Sequence, residues 1–421
     1  MSAGNLSSFL GAGGTPIGGQ TIIIDAQQNF VDQVGAEWLR AGVLKDNPLD
    51  YISSFPIAPQ LFVYGSDSLS GSAVPDGVVG SLKCIYCKVG SQYVESSGSG
   101  GQKYATDPTS TWTACTGTFS AADVLRPAVN GTSYAVLPWS SANSGPKYTS
   151  NGTTWTAVGG TFTTFPVVGA LAYGNNWWVT MATMAGGAGT MAYINNADPS
   201  GTWTVTTAPN IGGNAPAAAM AFGGASNWFV AVGTSASNTV GKIAICTTPS
   251  GTWTDCTSSS GIPFASDGNP VDVVFDGTVF MMLMSSGRIY TATNPTGAWT
   301  RVISGGDYST VNFVGTTSVG MTSVMLATNG AGLVLALASS SSAPNNRRSI
   351  YMTGDGGNTW GAGQIYAPSV STTAARASWA SDKILINVLG KSEGNTEVIP
   401  FSPNYIGMQV QTCIGQYVRI K

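Results

Sequence analysis

Three observations predict an all-β chain folded as a seven-bladed β-propeller, with six blades as the alternative. A tryptophan hairpin recurs six times, a second turn recurs in phase with it, and the composition is poor in helix formers and rich in turn formers. The hairpin copies are Ser110-Thr-Trp112-Thr, Thr153-Thr-Trp155-Thr, Gly201-Thr-Trp203-Thr, Gly251-Thr-Trp253-Thr, Gly297-Ala-Trp299-Thr and Asn358-Thr-Trp360-Gly, spaced by 43, 48, 50, 46 and 61 residues. That period is the length of a four-stranded blade and too long for a solenoid coil.

Each tryptophan follows a short strand, marked by Tyr104, Tyr148, Tyr193, Tyr290 or Tyr351, with Ile245 or Cys246 in the fourth copy. Between strand and tryptophan lie turns such as Asp198-Pro-Ser-Gly, Thr248-Pro-Ser-Gly and Asn294-Pro-Thr-Gly, whose residues pre-set or tolerate turn dihedrals. They read as the hairpin joining the third and fourth strands. The second landmark is a Gly-containing turn between two apolar runs, at Gly131, Gly174, Gly223, Gly277 and Gly330, with gaps of 43, 49, 54 and 53 residues. It reads as the hairpin joining the first two strands, and segments such as Val271-Asp-Val-Val-Phe275 and Leu333-Val-Leu-Ala-Leu337 read as buried inner strands.

Past the last tryptophan the pattern continues through Ala377-Ser-Trp379, Lys383-Ile-Leu-Ile-Asn-Val388 and Thr396-Glu-Val-Ile-Pro400, a seventh copy without its hairpin. A ring needs a closing strand to leave no raw edge. The outer strand is expected from the chain end, Gln416-Tyr-Val-Arg-Ile420, or from Leu-Phe-Val-Tyr at residues 61–64.

At Ser150-Asn-Gly-Thr-Thr-Trp155 and Thr353-Gly-Asp-Gly-Gly-Asn-Thr-Trp360 the chain resembles the Asp-box hairpin, Ser-x-Asp-x-Gly-x-Thr-Trp, of sialidase-type propellers, and only the second copy keeps the Asp and the spacing. In that family the box is structural, so the resemblance implies blades and not catalysis.

Residues 1–58 break the pattern and read as a small attachment segment ahead of a propeller over 59–421. They hold a Gly-rich start, an apolar stretch Thr21-Ile-Ile-Ile-Asp25 and then Glu37-Trp-Leu-Arg-Ala-Gly-Val43, with Pro48, Pro56 and Pro59 marking an extended connection. The Glu37–Val43 stretch, with Tyr51 downstream, resembles a segment of tail-fibre and other virion proteins of bacteriophages. The resemblance implies attachment to other virion proteins, with Trp38, Leu39 and Arg40 as the attachment residues. The plainer reading is that Trp38 and Leu39 pack a short helix beneath the propeller.

Composition excludes several function classes. Charged residues are 9% of the chain and the net charge is −3, which offers no basic face to nucleic acid or to an anionic membrane. The start lacks the cationic and apolar regions of a signal peptide, and no stretch reaches the length of a membrane span. There are no histidines, so the usual general base and the commonest metal ligand are both missing. The Cys84-Ile-Tyr-Cys87 pair has no second half-site, so no metal or cofactor is expected.

Candidate sites lie where the chain departs from its repeat. Arg347 and Arg348 follow an insertion over 339–346 that lengthens the sixth copy and reads as an exposed recognition loop or as plain solvated surface. Trp139, Trp177 and Trp228 suit stacking on a sugar face, although core packing explains the last two equally. Cys246 and Cys256 are equidistant from Gly251, which allows a disulfide across the proposed hairpin. The eight arginines are scattered and form no sialidase-like triad in sequence. The expected function is a non-enzymatic virion structural protein of tail-fibre or adhesin type, made in the host cytoplasm and part of a homo- or hetero-oligomeric assembly. It docks through residues 1–58 and presents the propeller to a host-surface glycan or as decoration. The alternative is a bacterial lectin-like or sialidase-type glycoside hydrolase propeller.

Overall fold

The structure is a computed structural model that describes residues 30–31, 37–43, 73–74, 84–97, 101–107, 112–117, 126–138, 145–162, 170–181, 191–207, 217–234, 241–303, 321–340, 347–358, 361–366, 376–380, 383–389, 396–401 and 415–419. Nearly all regular structure in these residues is β, the exception being one helical turn at Phe264–Asp267. The strands fall into antiparallel sheets of four in which chain neighbours pair in order. Sheet one contains Cys84–Val89, Gln92–Ser97, Gly101–Ala105 and Thr113–Ala114, and sheet two Ala128–Asn130, Tyr134–Leu137, Lys147–Thr149 and Thr156–Ala157. Sheet three contains Ala170–Gly174, Trp177–Met181, Met191–Asn195 and Thr204–Thr206, and sheet four Ala217–Gly223, Trp228–Thr234, Gly241–Cys246 and Thr254–Asp255. Sheet five contains Pro270–Phe275, Phe280–Met284, Ile289–Ala292 and Thr300–Ile303, and sheet six Met321–Thr328, Val334–Ser340, Arg347–Thr353 and Gly361–Tyr366. The last sheet contains Arg376–Ala380, Lys383–Leu389, Thr396–Phe401 and, from far upstream, Ala73–Val74.

Both landmark turns fall where the sequence puts them. Gly174 pairs with Trp177 across a loop of Asn175 and Asn176, whose φ angles of 48° and 62° are the two positive values a type I′ hairpin requires. The second strands are the most deeply buried; all five residues of Phe280–Met284 are buried, so the run is apolar throughout rather than alternating. In sheets one, two and four the fourth strand is two residues long with both exposed, as at Thr254–Asp255, which blunts those outer edges.

Apolar cores lie between consecutive sheets. Trp178 and Leu171 of sheet three pack with Val136 and Phe162 at the second sheet, while Val179 and Met181, on the opposite face of the same strand, pack with Phe229 and Ala231 of sheet four. Sheet three is therefore apolar on both faces, as a repeat that stacks face to face requires. The first strand of each sheet from two to six touches the first strand of the next, and Arg376–Ala380 of the last sheet touches Cys84–Val89 of the first. Between sheets one and two the seam is made by Cys84–Val89 against Tyr134–Leu137, with Gly90 N–H donating to Thr132 O at 2.7 Å. The contacts run in a cycle, the arrangement of a β-propeller.

The chain ends differ from expectation. The outer strand of the last sheet is Ala73–Val74, paired with Thr396–Glu397, and not the chain end. The chain end, Gly415–Arg419, instead pairs with Glu37–Val43, which pairs in turn with Phe30–Val31, in a separate three-stranded sheet. Glu37–Val43 is thus a strand, not a short helix, because its backbone groups are taken up by partners distant in sequence. Trp139, Trp360, residues 61–64, the Gly-rich start and residues 21–25 lie outside the described residues.

Candidate functional site

The tryptophan hairpins form a repeated structural device. Trp203 Nε1 donates to Pro199 O at 2.9 Å, Trp253 Nε1 to Pro249 O at 3.3 Å and Trp299 Nε1 to Pro295 O at 3.3 Å. In each case a proline four residues back sets the turn and also supplies the acceptor. The indole fills the seam with the preceding sheet, and its own backbone N–H is bound there: Trp155 N–H donates to Thr116 O at 2.9 Å and Trp203 N–H to Gly159 O at 2.8 Å. In the copies without the proline, a threonine and an Asn or Asp replace it. Gly152 N–H donates to Thr149 Oγ1 at 2.9 Å and Thr153 N–H to Asn151 Oδ1 at 2.9 Å, and Gly357 N–H donates to Thr353 Oγ1 at 3.0 Å. The two hairpins that resemble the Asp box therefore hold their own turns.

A charged pair joins sheets that are not neighbours in the ring. Arg126, two residues before the first strand of sheet two, donates from both terminal nitrogens to Asp272 of sheet five, at 2.6 and 2.5 Å, and to Leu326 O of sheet six at 3.0 Å. Asp272 also accepts from Val273 N–H at 2.8 Å and Leu326 N–H at 2.7 Å. Sheet two is adjacent to neither sheet five nor sheet six in the cycle, so the side chain has to reach through the central opening or over its mouth. A bidentate guanidinium with two further backbone donors satisfies a carboxylate that is almost wholly buried.

A second cluster sits in sheet five. Asp267, buried at the end of the helical turn, accepts hydrogen bonds from Ser266 Oγ at 2.7 Å, from Tyr290 Oη and from Arg288, while Arg301 lies 3.9 Å away. Burial pushes the Asp267 carboxyl up, but the hydrogen bonds from Tyr290 and Ser266 and the charges of Arg288 and Arg301 outweigh it and hold the group below the usual carboxylate range. Tyr290 moves the other way: burial, its hydrogen bond to Asp267 and that residue's charge push its phenol up to about 12. A phenol so raised stays protonated at neutral pH and is a poor nucleophile. The scatter of arginines in the sequence hides this meeting of Arg288 and Arg301 on Asp267. The only signal for it was that both flank one hairpin.

The remaining candidates separate. Arg347 and Arg348 do not lie in the loop but open the third strand of sheet six, Arg347 opposite Tyr366 and Arg348 opposite Ser339 and Ile365. Trp38, Leu39 and Arg40 lie on the strand that pairs with Arg419, Val418 and Tyr417. Trp177 and Trp228 begin second strands and pack against the seams beside sheet four, Trp177 edge-on to Tyr193 at 5.6 Å, so both serve the core. Cys246 and Cys256 are free thiols. The ladder pairs Ala244 with Asp255 and Ile245 with Thr254, so its midpoint falls between Pro249 and Ser250 rather than at Gly251. Cys246 consequently faces sheet three with Trp253, and Cys256 faces sheet five with Trp299. Burial pushes the Cys246 thiol far up, as it does the Cys87 and Cys115 thiols, each to about 12. Among the described residues no group of three or more His, Cys, Asp or Glu could hold a metal ion.

No family model matches the chain, and no curated protein matches it. Among solved structures it is similar to hydrazine synthase of Kuenenia stuttgartiensis, at 10% identity and a TM-score of 0.49, over 78% of this chain and 98% of that one. It is also similar to the β-propeller domain of Cps50 (Swd1) from Myceliophteria thermophila, at 10% identity and a TM-score of 0.47, over 77% of this chain and 98% of that one. A third similarity is to YCF48 from Cyanidioschyzon merolae, at 13% identity and a TM-score of 0.44, over 77% and 98% of the two chains.

Proposed function

We propose that this protein is a non-enzymatic structural or adhesin-type component of a bacteriophage particle. Its ring, read as seven-bladed, is held out from a single attachment point and offers its surface to a host glycan. The observation that carries the reading is the three-stranded sheet in which Glu37–Val43 pairs with Gly415–Arg419. That sheet joins an early segment and a late segment of the chain in a unit separate from the four-stranded sheets, and one of its strands is the segment that resembles virion proteins. The attachment unit is then residues 1–58 together with the chain end, and Trp38, Leu39 and Arg40 lie on its central strand.

Deleting residues 1–58 tests the division of labour. The closing strand Ala73–Val74 stays in the shortened chain, so the ring is expected to fold, with near-UV circular dichroism retained. Co-sedimentation with particles is expected to vanish. A truncation that unfolds, a truncation still incorporated into particles, or turnover of a glycoside by the intact chain would each overturn the proposal.

A further inference from the structure

Asparagine followed by glycine occurs three times in the chain, at Asn130-Gly131, Asn151-Gly152 and Asn329-Gly330, each in a described hairpin turn. The pair carries a chemistry of its own. Glycine has no Cβ to keep its backbone nitrogen away from the preceding carboxamide, so that nitrogen can attack the asparagine Cγ. The fold controls two things in this reaction: whether the glycine N–H is already held by an acceptor, and whether the carboxamide is pinned.

Two of the pairs are held on both counts. Gly152 N–H donates to Thr149 Oγ1 at 2.9 Å, while Asn151 Oδ1 accepts from Thr153 N–H and Thr154 N–H, each at 2.9 Å. Gly330 N–H donates to Thr328 Oγ1 at 3.0 Å, while Asn329 Oδ1 accepts from Ala331 N–H at 2.8 Å and Leu333 N–H at 3.0 Å. Asn130-Gly131 follows Ala128 and Val129, which carry no hydroxyl. Among the described residues Gly131 N–H has no acceptor and Asn130 Oδ1 no donor; the carboxamide is tethered through Nδ2 alone, to Ala197 O at 3.3 Å. Gly131 is exposed, and a Cβ built on it meets no atom within 4 Å, so its peptide has room to turn.

We propose that Asn130 is a site of spontaneous deamidation, singled out by the fold from the three pairs. Gly131 N gives its proton to hydroxide and forms a bond to Asn130 Cγ. The Cγ–Nδ2 bond breaks, ammonia leaves with a proton from water, and a succinimide ring is closed. A second water opens the ring at either carbonyl, leaving aspartate or isoaspartate; the net reaction consumes one water, releases one ammonia and needs no oxidant. The product alters the ring. Asn130 Nδ2 is the donor that ties the first hairpin of sheet two to the outer hairpin of sheet three, and the carboxylate that replaces it meets Ala197 O with Asp198 next in the chain. The seam between sheets two and three therefore loosens as the protein ages.

The test incubates the full folded chain in mildly alkaline buffer made with heavy-oxygen water and follows the three asparagines by peptide-mapping mass spectrometry. The urea-unfolded chain, in which all three should convert at similar rates, is the reference. In the folded chain Asn130 is expected to convert at least about tenfold faster than Asn151 or Asn329, since each hydrogen bond broken on the way to the ring slows the reaction by roughly fivefold. The product should carry the heavy oxygen and appear as both acids. Thr328→Val removes the acceptor that holds Gly330 N–H and should speed Asn329 by roughly fivefold, with the Asn130 rate unchanged as the sign that the fold is intact. Asn130→Asp, which installs one of the products, should lower the urea midpoint. Equal rates at the three sites in the folded chain, or faster conversion at Asn151 or Asn329, overturns the proposal. So does an Asn130 that stays intact while the unfolded chain converts, or an Asn329 that keeps the parent rate in Thr328→Val.

Discussion

Substituting Gly223 by alanine probes how the ring is held together. Gly223 ends the first strand of sheet four, and the Phe275 ring of sheet five lies directly over it. A Cβ built there would stand 2.6 Å from Phe275 Cε1 and closer still to Cδ1 and Cγ. Ordinary carbon contacts are about 3.5–4.0 Å, so the ring has to retreat by more than an ångström. It has little room to do so, since Phe275 stacks on Phe280 at 4.8 Å and packs against the core between sheets four and five. Overpacking of this kind costs about 1–3 kcal/mol. The only opposing effect is the smaller conformational freedom of alanine in the unfolded chain, worth about 0.4–1 kcal/mol, because Gly223 is not among the positive-φ glycines. The expected net result is destabilisation by roughly 1–2 kcal/mol, read as a lower urea midpoint with an unchanged slope. Phe275→Leu in the same chain should recover part of the loss, giving a double-mutant cycle with favourable coupling. A neutral or stabilising Gly223→Ala would refute the interlock. The same result is expected at Gly174, over which Phe222 lies in the same way.

Two further changes isolate single interactions. Trp203→Phe and Trp155→Phe both remove indole volume from a seam, but Trp203 Nε1 has Pro199 O at 2.9 Å, whereas the buried Trp155 Nε1 has no oxygen acceptor and faces only the Cys115 sulfur, a weak one. Chemical denaturation should find the Trp203 change costlier by about 1 kcal/mol, the worth of one buried hydrogen bond. Asp267→Asn tests the sheet-five cluster through pH. The folded-state carboxyl titrates below its ordinary value, so the stability it confers is present above about pH 4 and is lost as the pH falls below that. The variant should be weaker than the parent at pH 7 but lose less on going to pH 3; equal losses in both would remove Asp267 as the acid-sensitive group.

The features legible in the sequence are those whose cause is local. The proline, the turn and the tryptophan that closes on it lie within six residues, as in Pro199 to Trp203, so the repeat could be read and phased without knowing what it packs against. Asn175 and Asn176 similarly announce their hairpin by tolerating positive φ. Features set by register or ring closure were not legible. The assumption of a hairpin symmetric about Gly251 displaced the cysteines by three positions in the ladder, enough to put them on opposite faces of a sheet whose side chains alternate. The closing strand, Ala73–Val74, is two residues long and carries no periodicity to find. Arg126 and Asp272 are 146 residues apart, and nothing near either one marks the other.

That pair bears on where recognition can occur in this ring. Propellers leave an opening along the axis, and an axial opening lined by first strands is a natural place for a ligand. Here Asp272 is buried and has all its acceptor directions engaged by Arg126 and two backbone N–H groups, while Arg126 is also bound to Leu326 O. A ligand entering at that level would have to break a bidentate ion pair and leave a buried carboxylate uncompensated, a cost of about 3–5 kcal/mol before any contact is gained. The third of the Arg126 side chain that remains exposed lowers that figure through solvent screening, but the Asp272 side is not screened. The hairpin tryptophans likewise commit the seams between the sheets to packing. The rim is left as the place where this repeat can vary without loss of the ring.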